Sequence, residues 1–370
     1  MTRRIYVGTR KGLFVIERSN GGWRIAEASL LGDPISMLLP GPDNQVTVTQ
    51  AHGHFGVKIK RSDDGGRSFE DRPVPAYPEK PDDIEDIDPV RNTPIPWDLN
   101  TIWSLENGGA DRPGELWCGT IPGGLFHSSD NGDNWTLVES LWRHEGRKQW
   151  MGGGADYPGI HSILIDPRDS ATIRIAVSCG GLWASYDHGT TWNVEGVGLR
   201  ADYAPPGYDK EPNGQDVHRA VQCHSAPDTI WMQHHNGIFL SRDSGQTCTE
   251  ITDVDPSVFG FAVVVHPQHP DSAWFVPGVK DEFRYPRDGK LVVTRTRDGG
   301  QSFDKLTSGL PQEHAYDLVY RHSMDIDASG NSIAFGSTTG NLFVSDNQGD
   351  SWDCVSNTLP PIYCVRFADS

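Results

Sequence analysis

Histidines, arginines, carboxylates and aromatic rings crowd a few short connections of this chain, and three kinds of chemistry are open to them. Glu282, Asp317 and Asp156 are carboxylates able to act as general acid or base, with His218 as an imidazole partner. A pair of carboxylates flanking one bond is the usual device of glycoside hydrolysis. Arg219 and Arg284 are of the type that holds a substrate carboxylate or other anion by paired hydrogen bonds. Trp97, Trp150, Tyr157, Tyr203 and Tyr316 offer flat faces to a sugar ring, and His161, His234, His235 and His314 complete a polar lining. Neutral imidazoles that face one another also bind a Zn²⁺-like ion, which makes His161, His218 and His314 the metal-ligand candidates. Their spacing contains no HExxH pattern, so no cofactor is assigned and a divalent metal stays open. Scaffold roles compete: His234 and His235 beside Asn236-Gly237 would shape a turn, and Arg284 would pair at the surface with Asp281 or Glu282.

The elements that must position these residues are written in a repeat. Ser185-Tyr186-Asp187-His188-Gly189-Thr190-Thr191-Trp192 reads S-x-D-x-G-x-T-W. Variants stand at Ser62/Asp64/Gly66/Phe69, Ser128/Asp130/Gly132/Trp135, Ser241/Asp243/Gly245/Cys248, Thr296/Asp298/Gly300/Phe303 and Ser345/Asn347/Gly349/Trp352. They recur about every 50 to 65 residues, the period of a repeat architecture. The Asp carboxylate accepts from backbone N–H groups of its own turn, Gly supplies the left-handed backbone, and the aromatic opens the next strand. Each copy is therefore a hairpin turn. Period-two apolar runs surround it, as in Ile160–Asp166, Thr172–Ser178, Gly181–Ser185 and Thr191–Val194. Four antiparallel strands per unit, repeated, predict propeller blades.

The ends of the chain give the count. Arg4–Gly8, Gly12–Ile16 and Trp23–Ile25 are the second, third and fourth strands of a blade whose first strand is supplied by Ile362–Phe367. One split blade and six Asp-turn blades make an all-β, seven-bladed β-propeller of four-stranded antiparallel blades, a single domain over 1–370, closed by the C-terminal strand. The other inner strands are expected near Ile35, Thr101, Val217, Phe259 and Tyr316. Because strand direction alternates, the Asp-turns share one rim with the connections from first to second strand. The candidate residues fall on the opposite rim, where convergent loops form ligand sites. The acidic, Pro-rich stretch 71–100 is long enough to be functional or disordered.

A net charge of −18 argues against nucleic-acid and acidic-membrane partners. No apolar run reaches the length of a membrane span, and the N-terminal residues carry no signal-peptide pattern. Six scattered cysteines without CxxC spacing read as mostly buried free thiols, and a cytoplasmic location is expected.

The repeats resemble the Asp-box, or bacterial neuraminidase repeat, superfamily of sialidases, xyloglucan hydrolases, sortilin-type receptors and a photosystem assembly factor. Pro158-Gly-Ile-His-Ser162, Gln233-His-His-Asn-Gly-Ile-Phe239 and His314-Ala-Tyr-Asp-Leu-Val-Tyr-Arg-His322 are similar to a bacterial sialidase-like, glycosyl-hydrolase-like group. The resemblance implies a hydrolase acting on a small glycan or a related polar or anionic molecule. The first blade reads Arg4-Ile-Tyr-Val-Gly8 without the Arg-Ile-Pro motif of true sialidases, so no sialidase residue is carried over. The rival readings are a non-catalytic protein-interaction propeller and a metal-dependent hydrolase or lyase with a histidine cluster at the channel mouth. Oligomeric state is not encoded in any motif found.

Overall fold

The computed structural model describes residues 4–368. They form seven four-stranded antiparallel sheets. The first blade joins Ile362–Phe367 to Arg4–Thr9, Gly12–Ser19 and Gly22–Ser29. Ile5 pairs with Phe367 and Val7 with Val365, so the last strand closes the ring and leaves no open edge at the seam. The remaining inner strands are Ile35–Pro40, Thr101–Asn107, Gly159–Ile165, Val217–Cys223, Gly260–Val265 and Met324–Ile326.

Strands such as Ile173–Ser178 and Ala273–Pro277 are buried at every residue, because a neighbouring blade covers each face. Trp117, Trp183, Trp231 and Trp274 fill these interfaces. The hairpin clips form as expected. In the fourth blade Asp187 Oδ1 accepts from the Thr191 N–H at 2.8 Å and from Ser185 Oγ at 2.9 Å, and Oδ2 accepts from Thr191 Oγ. Gly189, at φ 81°, donates its N–H to Ser185 Oγ. In that left-handed conformation a Cβ would be strained.

Bulges in the inner strands position side chains at the channel. Register shifts skip Ser36 and His218, the second residues of their strands, Trp103 and His161, the third residues of theirs, and Phe261-Ala262 in the sixth blade. Such bulges re-aim a side chain. The same irregularity skips Tyr363 in the closing strand.

One expected strand start is corrected. Tyr316 does not open the seventh inner strand, which begins at Met324. The stretch around Asp317 is tied down by side-chain bonds instead of a ladder: Asp317 Oδ1 accepts from Ser337, Thr339 and Asn341 at 2.6–2.7 Å. The 71–100 connection is ordered and latched. Asp86 forms a buried ion pair with Arg147 at 2.6 Å and accepts from Trp97 Nε1, while Asp88 accepts from the Gly152 N–H. Of the six free cysteines five are buried and Cys354 is exposed. Among the described residues no helix is long and apolar enough to cross a membrane.

At the seam, Asp325 accepts from the Phe367 N–H at 2.8 Å. Burial pushes its carboxyl up to about 6, against the opposing pull of Arg366 and Arg219. A raised carboxyl means that the folded chain binds a proton the unfolded chain has already lost. This contribution to stability is present below the ordinary Asp range and is lost as pH rises through about 6. Urea unfolding between about pH 4 and pH 7 should show stability declining across that window, and Asp325→Asn should flatten the decline.

Candidate active site at the mouth opposite the Asp-turns

Asp216 ends the connection leading into the fifth blade, and His218 is the bulged second residue of that blade's inner strand. His235 follows the second strand of the same blade, and its N–H donates to the Asp216 carbonyl. The three side chains converge. Asp216 Oδ2 lies 3.4 Å from His218 Nε2 and 3.4 Å from His235 Nδ1. His218 Nδ1 bonds to the Gly260 carbonyl at 2.7 Å, and its ring stacks on Phe261 with centroids 4.4 Å apart. Asp216 Oδ1 accepts from Ser178 Oγ and from the Cys179 N–H.

Arg321, from the segment just before the seventh inner strand, is buried in the same region. Its guanidinium lies over the Trp103 ring at 4.8 Å and the Phe261 ring at 5.2 Å. Its Nε and Nη2 have no hydrogen-bond partner among the described residues. Arg284 lies 5.3 Å from the Phe261 ring and pairs with Asp281. Tyr203, 44% exposed, sets the edge of its ring against His235 at 5.1 Å and forms the outer wall.

Burial would raise the Asp216 carboxyl, but His218, His235 and Arg321 outweigh it and hold it well below the usual range. Burial lowers His218, with Asp216 pulling the other way. Burial opposes protonation of His235 too, yet Asp216 prevails there and raises it. Burial, helped by Arg321 and Arg219, keeps His161 well below the ordinary imidazole range. An ionised carboxylate, two buried imidazoles shifted toward the neutral form, a third shifted toward protonation and a guanidinium with unpartnered Nε and Nη2 thus share one mouth, a combination suited to an anion and to proton transfer beside it.

The expected residues divide. His218 and His235 belong to the cluster, Arg284 flanks it, and Tyr203 walls it. His161 lies alongside: its ring meets Trp103 at 5.5 Å, its Nδ1 contacts Ser162 Oγ, and its Nε2 has no partner among the described residues. His234 is buried; its Nδ1 accepts from the Asn236 N–H, the turn-shaping role, and burial lowers it to about 3. Glu282 is exposed, 3.0 Å from Lys280, and Asp317 is locked in its clip, so these two carboxylates do not flank a common bond. Asp156 is exposed and pairs with Arg91. Arg219 turns the other way. It bonds to the His161 carbonyl and lines a cavity of about 370 Å³ at the Asp-turn mouth with Glu106, Asp325 and Arg366. Trp150 is fully buried against Trp183 and is closed to a ligand, whereas the half-buried Trp97 packs on Trp142 and lines a separate surface pocket with Arg143 and Arg147. His314 and Tyr316 lie in a groove of about 520 Å³ with Tyr285, away from the proposed histidine metal set. Among the described residues the groups with metal-ligand geometry are Asp216/His218/His235 and Glu115/His127/His188.

Asp216, Cys179 and Arg321 were missed by sequence reasoning. Asp216-x-His218 was a usable signal, since alternate residues of an extended strand share a face. Arg321 was hidden by the misplaced strand start at Tyr316.

No family model matches the chain. It is 25% identical over 252 residues to the oligoxyloglucan-reducing end-specific xyloglucanase of Emericella nidulans, covering 67% of this chain and 26% of that protein. It is 30% identical over 108 residues to a probable enzyme of the same kind from Neosartorya fischeri, covering 29% of this chain and 12% of that one. The matches therefore span about a quarter of those relatives' length or less. Among solved structures, an ancestral GH74 enzyme superposes with a TM-score of 0.56 at 14% identity, over 99% of this chain and 40% of that one. YCF48 bound to D1 peptide superposes at 0.53 with 11% identity, over 87% and 81%. The fold is thus that of a seven-bladed propeller found in GH74 enzymes and in YCF48.

Because Asp317 is 4% exposed and holds three side chains, Asp317→Ala should destabilise the chain by on the order of 2–4 kcal/mol. Denaturant midpoints check this, and the ligand affinity of the folded variant should stay unchanged.

Proposed function

We propose that the mouth opposite the Asp-turns binds, and hydrolyses, a small anionic glycan fragment. The observation that carries this reading is Arg321, a buried guanidinium with unpartnered donors beside an ionised carboxylate and two imidazoles. A buried cation with free N–H groups is costly unless an anion completes its bonds. The guanidinium fork would take the carboxylate of a uronic-acid-type sugar, with Arg284 at the flank. The exposed rings of Tyr203, Tyr285 and Tyr316 on the surrounding loops would support sugar faces, and the groove of about 520 Å³ gives room for further units. The similarity to xyloglucanases supports a glycan as the ligand class. The interaction-propeller reading expects no convergent set of perturbed titratable groups, so the cluster favours a small-ligand site over it.

The test is calorimetric titration with a panel of neutral and uronate-bearing oligosaccharides, followed by assay of released reducing ends. Uronate-bearing ligands should bind, and Arg321→Met should weaken them about 10- to 100-fold. Equal affinity for neutral oligosaccharides, or an unchanged Arg321→Met, would remove the reading.

A further inference from the structure

We infer that Asp216, His218 and His235 form a three-ligand site for a divalent first-row transition ion, with the remaining coordination position open to the channel mouth. The inference rests on the proposed reading only for what the open position serves; the site itself stands on geometry. His218 Nδ1 sits 2.7 Å from a carbonyl oxygen, which can only accept, so that nitrogen carries the proton. In the neutral ring Nε2 then presents a lone pair, and it points at Asp216 Oδ2. His218 is 2% and Asp216 5% exposed, so the pair is shut off from bulk water, and a cation between them would take one donor atom from each.

The distances agree. Both imidazole nitrogens lie 3.4 Å from Asp216 Oδ2, beyond the usual N–H···O range of about 2.7–3.2 Å. Ligands at about 2.0–2.1 Å from a tetrahedral zinc are themselves separated by about 3.2–3.4 Å. The outer shell is also in place. A metal-bound histidine typically gives its other N–H to a carbonyl, as His218 does to Gly260, and a ligating carboxylate is itself hydrogen-bonded. Ser178 Oγ and the Cys179 N–H occupy Asp216 Oδ1 and leave Oδ2 to the two rings. Two imidazoles and one carboxylate with a free position is the pattern of a working metal site, whereas a structural site is closed by four protein ligands.

The second histidine cluster supplies the contrast. Glu115 is hydrogen-bonded to His188 Nε2 at 3.0 Å and accepts from Trp117 Nε1 at 3.0 Å, with His127 Nε2 3.2 Å away. That carboxylate is satisfied by direct bonds and ties the third blade to the Asp-turn of the fourth.

The function of the mouth also needs such a group. The carboxylate pair of a glycosidase is not assembled there, since Glu282 and Asp317 are engaged elsewhere. An ion at Asp216, His218 and His235 would supply the electrophile, and Arg321 would hold the anionic end of the ligand.

The experiment strips the full chain with a chelator, reloads it with Zn²⁺ or Co²⁺, and measures uptake by elemental analysis and calorimetry. One ion per chain is expected, with the intense visible absorption of four-coordinate Co²⁺. His218→Ala and Asp216→Asn should weaken uptake by more than about 100-fold, and Glu115→Gln should leave it unchanged. The partly exposed His235→Ala provides the same test should a buried variant fail to fold. No retained ion in the reloaded wild type, or uptake indifferent to His218→Ala and His235→Ala, would overturn the site. Uptake without glycan binding removes the proposed ligand and leaves the metal site standing. Glycan binding and turnover by protein unable to take up an ion does the reverse.

Discussion

Chain direction reverses at every hairpin of this protein, and the placement of its chemistry follows from that constraint. Antiparallel pairing sends the Asp-turns and the first-to-second strand connections to one mouth of the ring. The starts of the inner strands are left at the other. A clip that satisfies its own polar groups, as at Asp187, needs nothing from the channel, so that mouth is free to be structural. At the opposite mouth successive inner strands bulge within their first three residues, at Ser36, Trp103, His161, His218 and Phe261. With Tyr363 in the closing strand, six of the seven blades thereby offer a different side chain from the same part of the inner strand.

The channel between the mouths is crossed by polar bonds. The His161 carbonyl takes His322 Nε2 at 2.7 Å from the seventh blade and Arg219 at 3.1 Å from the fifth. These bonds tie blades across the ring and separate two charged regions. Below them Arg219, Arg366 and Arg4 face Glu106 and Asp325. Above them Arg321 meets Asp216 and the imidazoles, in surroundings of Trp103 and Phe261 where little water screens the charges. The closing strand matters to the lower region, since it carries Arg366 and its Phe367 N–H is bonded by Asp325.

The fold was legible in the sequence because each blade repeats its own local chemistry: period-two strands, an Asp-turn, an aromatic. The seam was legible because the first blade lacks a strand and the last residues supply one. The site was legible only where a residue stood at a strand boundary that periodicity could place, as with His218 and His235. Arg219 shows the limit. It neighbours His218, but the bulge between Val217 and Arg219 and the alternation of the strand aim it at the other mouth. Tyr316 to Tyr320 is an apolar run that reads as a strand, yet side-chain bonds to Asp317 hold it as an irregular segment, a tertiary outcome that local sequence does not encode. Trp150 reads as a ligand platform in the sequence, but the fourth blade draws it into packing against Trp183.

The central claim, that the mouth opposite the Asp-turns is a built anion site centred on Arg321, is tested most directly by anomalous diffraction from crystals soaked in bromide. The account predicts a bromide peak in contact with the Arg321 guanidinium, on the side facing Asp216 and His235. A bromide bound only among Arg219, Arg366 and Arg4, with none beside Arg321, would contradict it.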